Sequence, residues 1–355
     1  MNKSEHIHIE HDLIPISSPS QWKKALLGIN HTFGHTWENN NAMYLTTGFP
    51  TYLYTLTCGD IRIVCPIAER EYNGFTDIVT PYGFSGFVGN YDFPELQKYW
   101  KSFAQKRGYV CGYIGLNPLW ENHTYFDTND VNKSKILYVM NLDLSTKELF
   151  NKLSTNRRRQ LRKYDMSSSE FICDKKLLKE FFLNHYHSFF IEKDASQVYN
   201  FTMQTLSKII DADNVMAVGV FKNKKIEAVS LFAHTCYGAE YLFNISVGDG
   251  KHHTVPLIWF AVEYFKSLHI PFLNLGGGVR QGDSLSQFKE RFGGIEYTLK
   301  SLNQIYNEDT YEELCKGIIN KFDLTNYFPP YRNPEKMTLK VSNKKNTPNQ
   351  NIYVH

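Results

Sequence analysis

The sequence predicts a mixed α/β protein made of two similar units, each a sheet flanked by helices. Three observations carry that expectation. The chain has 355 residues, enough at about 150 residues per domain for two ordinary domains or one large one. Hydrophobic residues make up 42% and aromatics 15%, which supplies a real core and excludes a mostly disordered chain. A β-hairpin followed by a helix and then a strand is legible twice, although residue identity between the halves is negligible.

In the first half, Ser20 to Ile29 follows Ser-Ser-Pro and places Trp22, Leu26 and Ile29 on one helical face. The β-branched and aromatic runs from Thr51 to Cys58 and from Ile61 to Ala68 are joined by Gly59-Asp60, a hairpin signal. Phe93 to Lys106 carries Leu96, Tyr99, Trp100 and Phe103 at helical spacing, and Tyr109 to Leu116 reads as a strand stopped by Asn117-Pro118. After a polar stretch, Ile136 to Leu142 is a strand, and Asp143, Ser145 and Glu148 mark a helix start.

In the second half, helices are expected at about 176–190 and 200–210. A hairpin follows, from Val215 to Phe221 and Ile226 to Ala233, turned by Lys222-Asn-Lys-Lys. A strand at 240–246, a helix at 254–267 and a strand at 272–275 complete the repeat. The expected division is 1–143, 144–328 and a polar tail, 329–355, rich in Asn, Lys and Pro over its last part.

Composition excludes several classes. With 39 Lys+Arg against 36 Asp+Glu, a net charge of +3 is too small for a surface devoted to nucleic acid. Cys58, Cys65, Cys111, Cys173, Cys236 and Cys315 show neither a C-x-x-C pair nor zinc-site spacing, so they read as buried, reduced thiols, and no metal is expected. The N-terminus lacks an apolar signal core, and the apolar stretch 255–265 is broken by Glu263 and too short to span a bilayer. A cytoplasmic protein without an integral membrane segment is therefore expected, with room for peripheral association at the inner membrane face.

The most informative segment runs from Ile270 to Gly294. A buried strand delivers Gly276, Gly277 and Gly278 after Asn274, where absent side chains let backbone N–H groups approach a ligand. Asp283 or Ser284 can cap a short helix carrying Phe288, Phe292 and Lys289. The set reads as an active-site wall or as a strand-to-helix turn whose glycines only make room. A dinucleotide loop is disfavoured because the spacing is not G-x-G-x-x-G. Arg157 to Lys163 holds five cations, and on a helix Arg158 with Arg162 and Arg159 with Lys163 are i, i+4 pairs. That face suits phosphate or is simply solvated. His252-His253 has no evident carboxylate partner and reads as surface or capping residues, as do His6, His8 and His11.

Asn274-Leu-Gly-Gly-Gly, Asp283-Ser-Leu and Phe288-Lys-x-x-Phe-Gly together resemble the C-terminal signature of the Fem-type branch of the GNAT acyltransferase superfamily. Pro81-Tyr-Gly-Phe-Ser-Gly and Ser154-Thr-Asn-Arg-Arg-Arg-Gln-Leu-Arg-Lys resemble two further segments of that branch in the right order, so the likeness covers roughly residues 20 to 305. It implies tandem GNAT-like units, each a mixed, mostly antiparallel sheet flanked by helices, the first degenerate and the second holding the active site. It also implies an amide-forming transferase whose acyl donor is acyl-CoA and whose acceptor is a nucleotide-linked or lipid-linked amino-sugar or other envelope precursor. Aminoacyl-tRNA is the alternative donor, for a peptidoglycan-type acceptor. A non-catalytic module that binds a nucleotide sugar is the rival from another class, and an RNA binder using Arg157 to Lys163 is a further one.

On that resemblance Asp283 is the expected acceptor-amine binder or base, and Lys289 the cation at the donor ester or phosphate. Tyr82, Arg157, Arg158, Arg162, Asn274, Gly276, Gly277, Gly278 and Phe288 are expected to line the substrate site, Tyr82 as a hydrogen-bond donor or as part of an ordinary turn. Strand 240–246 would splay from its neighbour, and Gly248, Gly250 and Lys251 would offer free amides and charge to the donor's pyrophosphate. The usual acetyl-CoA pattern, Arg/Gln-x-x-Gly-x-Gly/Ala, is absent from this loop.

Overall fold

The computed structural model describes residues 8–120, 125–127, 130–168, 170–280, 282–316 and 327–333. The elements in chain order are β1 (Ile9–Pro15), α1 (Pro19–Leu26), α2 (Trp37–Thr47), β2 (Thr51–Cys58), β3 (Ile61–Tyr72), β4 (Phe75–Val79), β5 (Val88–Gly89), α3 (Leu96–Lys106), β6 (Tyr109–Leu116), β7 (Val131–Asn141), α4 (Thr146–Lys152) and α5 (Thr155–Leu161). They continue with β8 (Phe171–Ile172), α6 (Lys175–Glu192), α7 (Met203–Asp211), β9 (Val215–Lys222), β10 (Lys225–Thr235), β11 (Gly238–Ser246), α8 (Thr254–Ser267), β12 (Phe272–Gly277), α9 (Ser284–Glu290), β13 (Ile295–Ile305) and α10 (Glu308–Cys315).

Two compact units emerge. One gathers 1–30, 47–133 and 300–355; the other gathers 31–46 and 134–299. Sequence order alone suggests 1–143 and 144–328, but compactness assigns 31–46 to the second unit and returns the chain to the first at Lys300. Most of the expected tail, 334–355, lies outside the described residues.

In the first unit β1, β2, β3 and β4 form an antiparallel run, with Cys58 opposite Ile61 across the Gly59-Asp60 turn. Helix α3 then crosses over, and β6 joins β4 in parallel, Thr76 opposite Tyr109 and Val79 opposite Tyr113. The pairing continues past the strand, where Thr80 N donates to Tyr113 O and Gly115 N donates to Thr80 Oγ1. The last part of β13 adds antiparallel to β6. Tyr54, Trp100, Phe87 and Tyr306 pack the core, edge against face.

The second unit repeats the plan. Helices α6 and α7 precede the antiparallel β9, β10 and β11, with Asn223 and Lys224 both at positive φ in a tight turn between the first two. Helix α8 crosses over to β12, which joins β11 in parallel and β7 in antiparallel fashion. Residues from α8, including Leu257, Ile258 and Val262, fill one face with Leu273 and Leu275 of β12. Phe182 and Tyr186 of α6, with Phe201, pack on Phe243 of β11. The strands β1, β4 and β13 and the helix α2 were not legible in the sequence.

Candidate active site

The two parallel pairs differ where it matters. In the first unit β4 and β6 stay bonded along β4, whereas in the second unit β11 and β12 pair only at Ala239 opposite Leu273 and Glu240 opposite Asn274. Beyond that point the strands separate, and β12 continues with β7 alone, Gly277 opposite Leu137. The result is the splay that the resemblance implies, and it opens backbone and side-chain polar groups into a wedge.

Glu240 and Asn274 sit side by side at the closed end of the wedge, the last bonded pair before the strands separate, 2% and 1% exposed. Asn274 Oδ1 accepts from Gly276 N at 2.8 Å, while Asn274 Nδ2 and Glu240 Oε1 have no hydrogen-bond partner among the described residues. Burial pushes the Glu240 carboxyl up to about 8, against the opposing hydrogen bond with the Thr32 side chain. Sequence reasoning missed Glu240 because a Glu at the start of a strand is unremarkable until its burial is known. It missed Thr32 because that residue comes from a segment far away in the chain.

Each glycine of the triplet has its own physical reason. Gly276 adopts φ +73°, and a Cβ there would lie 3.0 Å from Lys289 Nζ. At Gly277 a Cβ would lie 2.2 Å from Ile136 O on β7, and at Gly278 it would lie 2.3 Å from Asp283 Oδ1. The glycines make room, and what they make room for is Lys289, the Ile136 backbone oxygen and Asp283.

Asp283 is the N-cap of α9. Its Oδ1 accepts from Ser286 N at 2.7 Å, and its Oδ2 accepts from Val279 N at 2.7 Å and Arg280 N at 2.8 Å. Burial alone would raise its carboxyl, but the backbone N–H groups of Arg280, Ser286, Val279 and Leu285 outweigh it and hold the carboxyl below the usual range. A carboxylate so saturated is a poor base. Lys289, 9% exposed, donates from Nζ to Gly277 O at 2.8 Å. Burial first, then the neighbouring Lys135 ammonium, push Lys289 down to about 7, with Asp283 partly opposing. Lys135, on β7, is itself lowered by burial and was not singled out in the sequence.

The arginine-rich helix does not present one uniform basic face. Ser154 caps α5, and Arg157 turns inward, 5% exposed, with its guanidinium 4.2 Å above the Phe288 ring and 5.3 Å from that of Phe292. It donates to Gln160 Oε1 at 2.8 Å and Phe288 O at 3.3 Å, and burial together with Arg291 lowers it to about 10. Arg157 and Phe288 thus brace α9, the helix that carries Lys289. Arg159, Arg162 and Lys163 are exposed and Arg158 half-exposed, because the helix ends at Leu161 and the last two follow it.

The loop before α8 departs from expectation in part. Gly248 to His253 winds into 3-10 turns, and Gly250 N is used by Val247 O at 2.9 Å. Gly250 is tightly fitted, since a Cβ there would meet Glu227 O at 2.1 Å, while Lys251 is exposed. His253 is not a surface residue: it is 1% exposed, with Nε2 2.7 Å from Glu227 Oε2 and Nδ1 3.1 Å from Tyr164 Oη. Its carboxylate partner lies on β10, invisible from the sequence around it. His252 is exposed, as expected. Cys173 and Cys236 are exposed too, correcting the expectation that all the thiols are buried.

Tyr82 belongs to the first unit, half-buried in the segment between β4 and β5. Among the sequence candidates, the fold thus gathers Asn274, Gly276, Gly277, Gly278, Asp283, Phe288, Lys289 and Arg157 around one strand end. His6 lies outside the described residues; His11 Nδ1 bonds Tyr54 Oη at 2.8 Å, and His8 pairs with Glu10.

No protein-family model matches the sequence, and no curated protein matches it. Solved structures do. FemX aligns at 10% identity over 86% of this chain and 99% of its own, with a TM-score of 0.63. A conserved protein of unknown function from Bacteroides thetaiotaomicron VPI-5482 aligns at 10% identity over 84% of this chain and 100% of its own, TM-score 0.56. L-PGS from Bacillus licheniformis aligns at 12% identity over 81% and 92%, TM-score 0.52. The chain has a fold like that of FemX.

Proposed function

We propose that the protein is an N-acyltransferase that forms an amide on an amino group of a nucleotide-linked or lipid-linked envelope precursor, such as an amino sugar, with acyl-CoA as donor. The observation that carries this reading is the wedge between β11 and β12, with Lys289 at its open, glycine-rich end and Glu240 buried at its closed end. The acceptor amine attacks the thioester carbonyl, the C–N bond forms, the C–S bond breaks, and one proton passes from the amine to the departing sulfur. Glu240, poised near neutral pH, takes the amine proton, and Lys289 donates a hydrogen bond to the developing negative charge. Asp283 accepts the N–H groups of Val279, Arg280 and Ser286 instead of acting as base.

Aminoacyl-tRNA is the second donor, favoured by two features: the exposed Arg159, Arg162 and Lys163 beside the half-exposed Arg158, and the 3-10 winding that uses Gly250 N in the loop expected to hold a CoA pyrophosphate. FemX, the structure aligned above with a TM-score of 0.63, is consistent with either donor, because so distant a likeness speaks only of fold.

The deciding experiment incubates the full chain with amino-sugar nucleotides or lipid-linked amines and either an acyl-CoA series or charged tRNA, reading amide product by mass spectrometry. Product with acyl-CoA, lost in Lys289→Ala, supports the first reading; product only with charged tRNA selects the second. Binding of a nucleotide sugar without turnover under either donor would make the protein a sensor and overturn both.

A further inference from the structure

We propose that Glu227, His252 and His253 form a binding site for a divalent transition-metal ion, zinc foremost, where the turn between β11 and α8 packs on β10. The donor atoms of these three side chains lie within 4.8 Å of one another. Two imidazoles and a carboxylate are a recurrent zinc donor set, and they leave a fourth position for water or a ligand oxygen. Around a common ion with bonds of about 2.0 Å the donors stand about 3.3 Å apart, so modest side-chain rotation brings them to it.

The surroundings of the imidazoles fit this role independently of their clustering. Metal-bound histidines characteristically anchor the other ring nitrogen on a carbonyl or another polar group, which fixes the tautomer and the ring orientation. Both do so here. His252 Nδ1 donates to Asp249 O, leaving Nε2 as its lone-pair nitrogen. His253 Nδ1 meets Tyr164 Oη at 3.1 Å, and that ring is held among Tyr164, His252 and Glu227.

His253 Nε2 and Glu227 Oε2, 2.7 Å apart, need a positive centre between them. Without metal this is the imidazole proton on Nε2, while the Tyr164 hydroxyl donates to Nδ1. With metal the ion takes that place, the imidazole proton moves to Nδ1, and Tyr164 Oη accepts it. No proton is gained or lost overall. Glu227 also supplies negative charge against the ion. Adjacent histidines in sequence would ordinarily point apart; here the 3-10 turn over Gly248–His253, packed on β10 through Gly250, brings their rings to a centroid separation of 3.9 Å.

The site does not depend on the transferase reading, and binding alone tests it. The full chain, stripped with chelator, is titrated with Zn2+ by calorimetry, and bound metal is counted by elemental analysis after dialysis. One equivalent is expected, with affinity at least tenfold weaker in His252→Ala and in Glu227→Gln. Both are partly or fully exposed positions, so circular dichroism should confirm that the variants remain folded. Substituting Co2+ should give the visible absorption of a four-coordinate ion with nitrogen and oxygen ligands. Absence of stoichiometric binding would overturn the proposal, and so would an unchanged affinity in the His252→Ala, Glu227→Gln double variant.

Discussion

Lys289 is a residue whose chemistry its surroundings alter strongly. Its folded value of about 7 lies below the ordinary 10.5, so between these limits the unfolded chain binds a proton that the folded chain does not. Stability must therefore rise with pH across that window, by up to about 1.4 kcal/mol per pH unit from this group. Replacing it with a neutral chain of similar length, Lys289→Met, should flatten the rise between pH 7 and 10.5, as read by urea unfolding at a series of pH values. Glu240 acts with the opposite slope: its raised carboxyl favours the folded state fully below pH 4.5 and loses that advantage as pH climbs through about 8. Glu240→Gln should remove this fall while abolishing amide formation. Asp283→Asn, by contrast, should keep at least half of the activity and lose roughly 1 kcal/mol of stability, because Asn still caps a helix but its amide nitrogen faces backbone N–H groups. A large activity loss in Asp283→Asn with intact folding would restore it as the base.

At the scale of elements, β12 is the piece on which the site hangs, and its register depends on the absence of one carbon. Gly277→Ala places a methyl 2.2 Å from the backbone oxygen of Ile136, so β12 must withdraw from β7. A cost of about 2 kcal/mol is expected from such overpacking, seen as a lower denaturant midpoint. Helix and hairpin boundaries in this unit were legible from periodicity: α8 spans the predicted 254–267, and Ser145 with Glu148 forms the expected capping box. Strand β4 was not, because Phe75–Val79 is five residues long and carries Thr76 and Asp77 amid its apolar positions. Asp77 is 1% exposed and balanced by Arg70 at 2.6 Å and Arg332 at 2.9 Å. The second arginine comes from far along the chain, so no local pattern could announce the pairing.

At the scale of the molecule, the chain does not divide where its repeat does. Residues 31–46 serve the second unit: Thr46 Oγ1 and Thr205 Oγ1 share a hydrogen bond, and Thr205 Oγ1 donates to Ala42 O at 2.8 Å. The end of β13 serves the first, Ser301 opposite Gly115 and Ile305 opposite Cys111. A fragment beginning at residue 134 would leave Thr205 and Glu240 without these partners, and one ending at 133 would expose an edge of β6. Neither should give a cooperative melt when expressed alone, whereas two independent transitions from the separate halves would contradict this. Among the described residues no helix is long and apolar enough to cross a membrane.

The amino-acid sequence by itself determined the repeat and the local elements other than such pieces as β1, β4, β13 and α2, since periodicity, caps and turns act over a few residues. It also marked the glycine-rich end of β12, because a run of glycines is visible in one dimension. Only tertiary structure decided which polar groups are buried and against what. Arg157 turned inward against Phe288, Asp283 was saturated by backbone N–H groups, Glu240 was buried, and Glu227 was placed against His253. Desolvation and pairing depend on neighbours that the chain brings from far away, and no short window of sequence contains them.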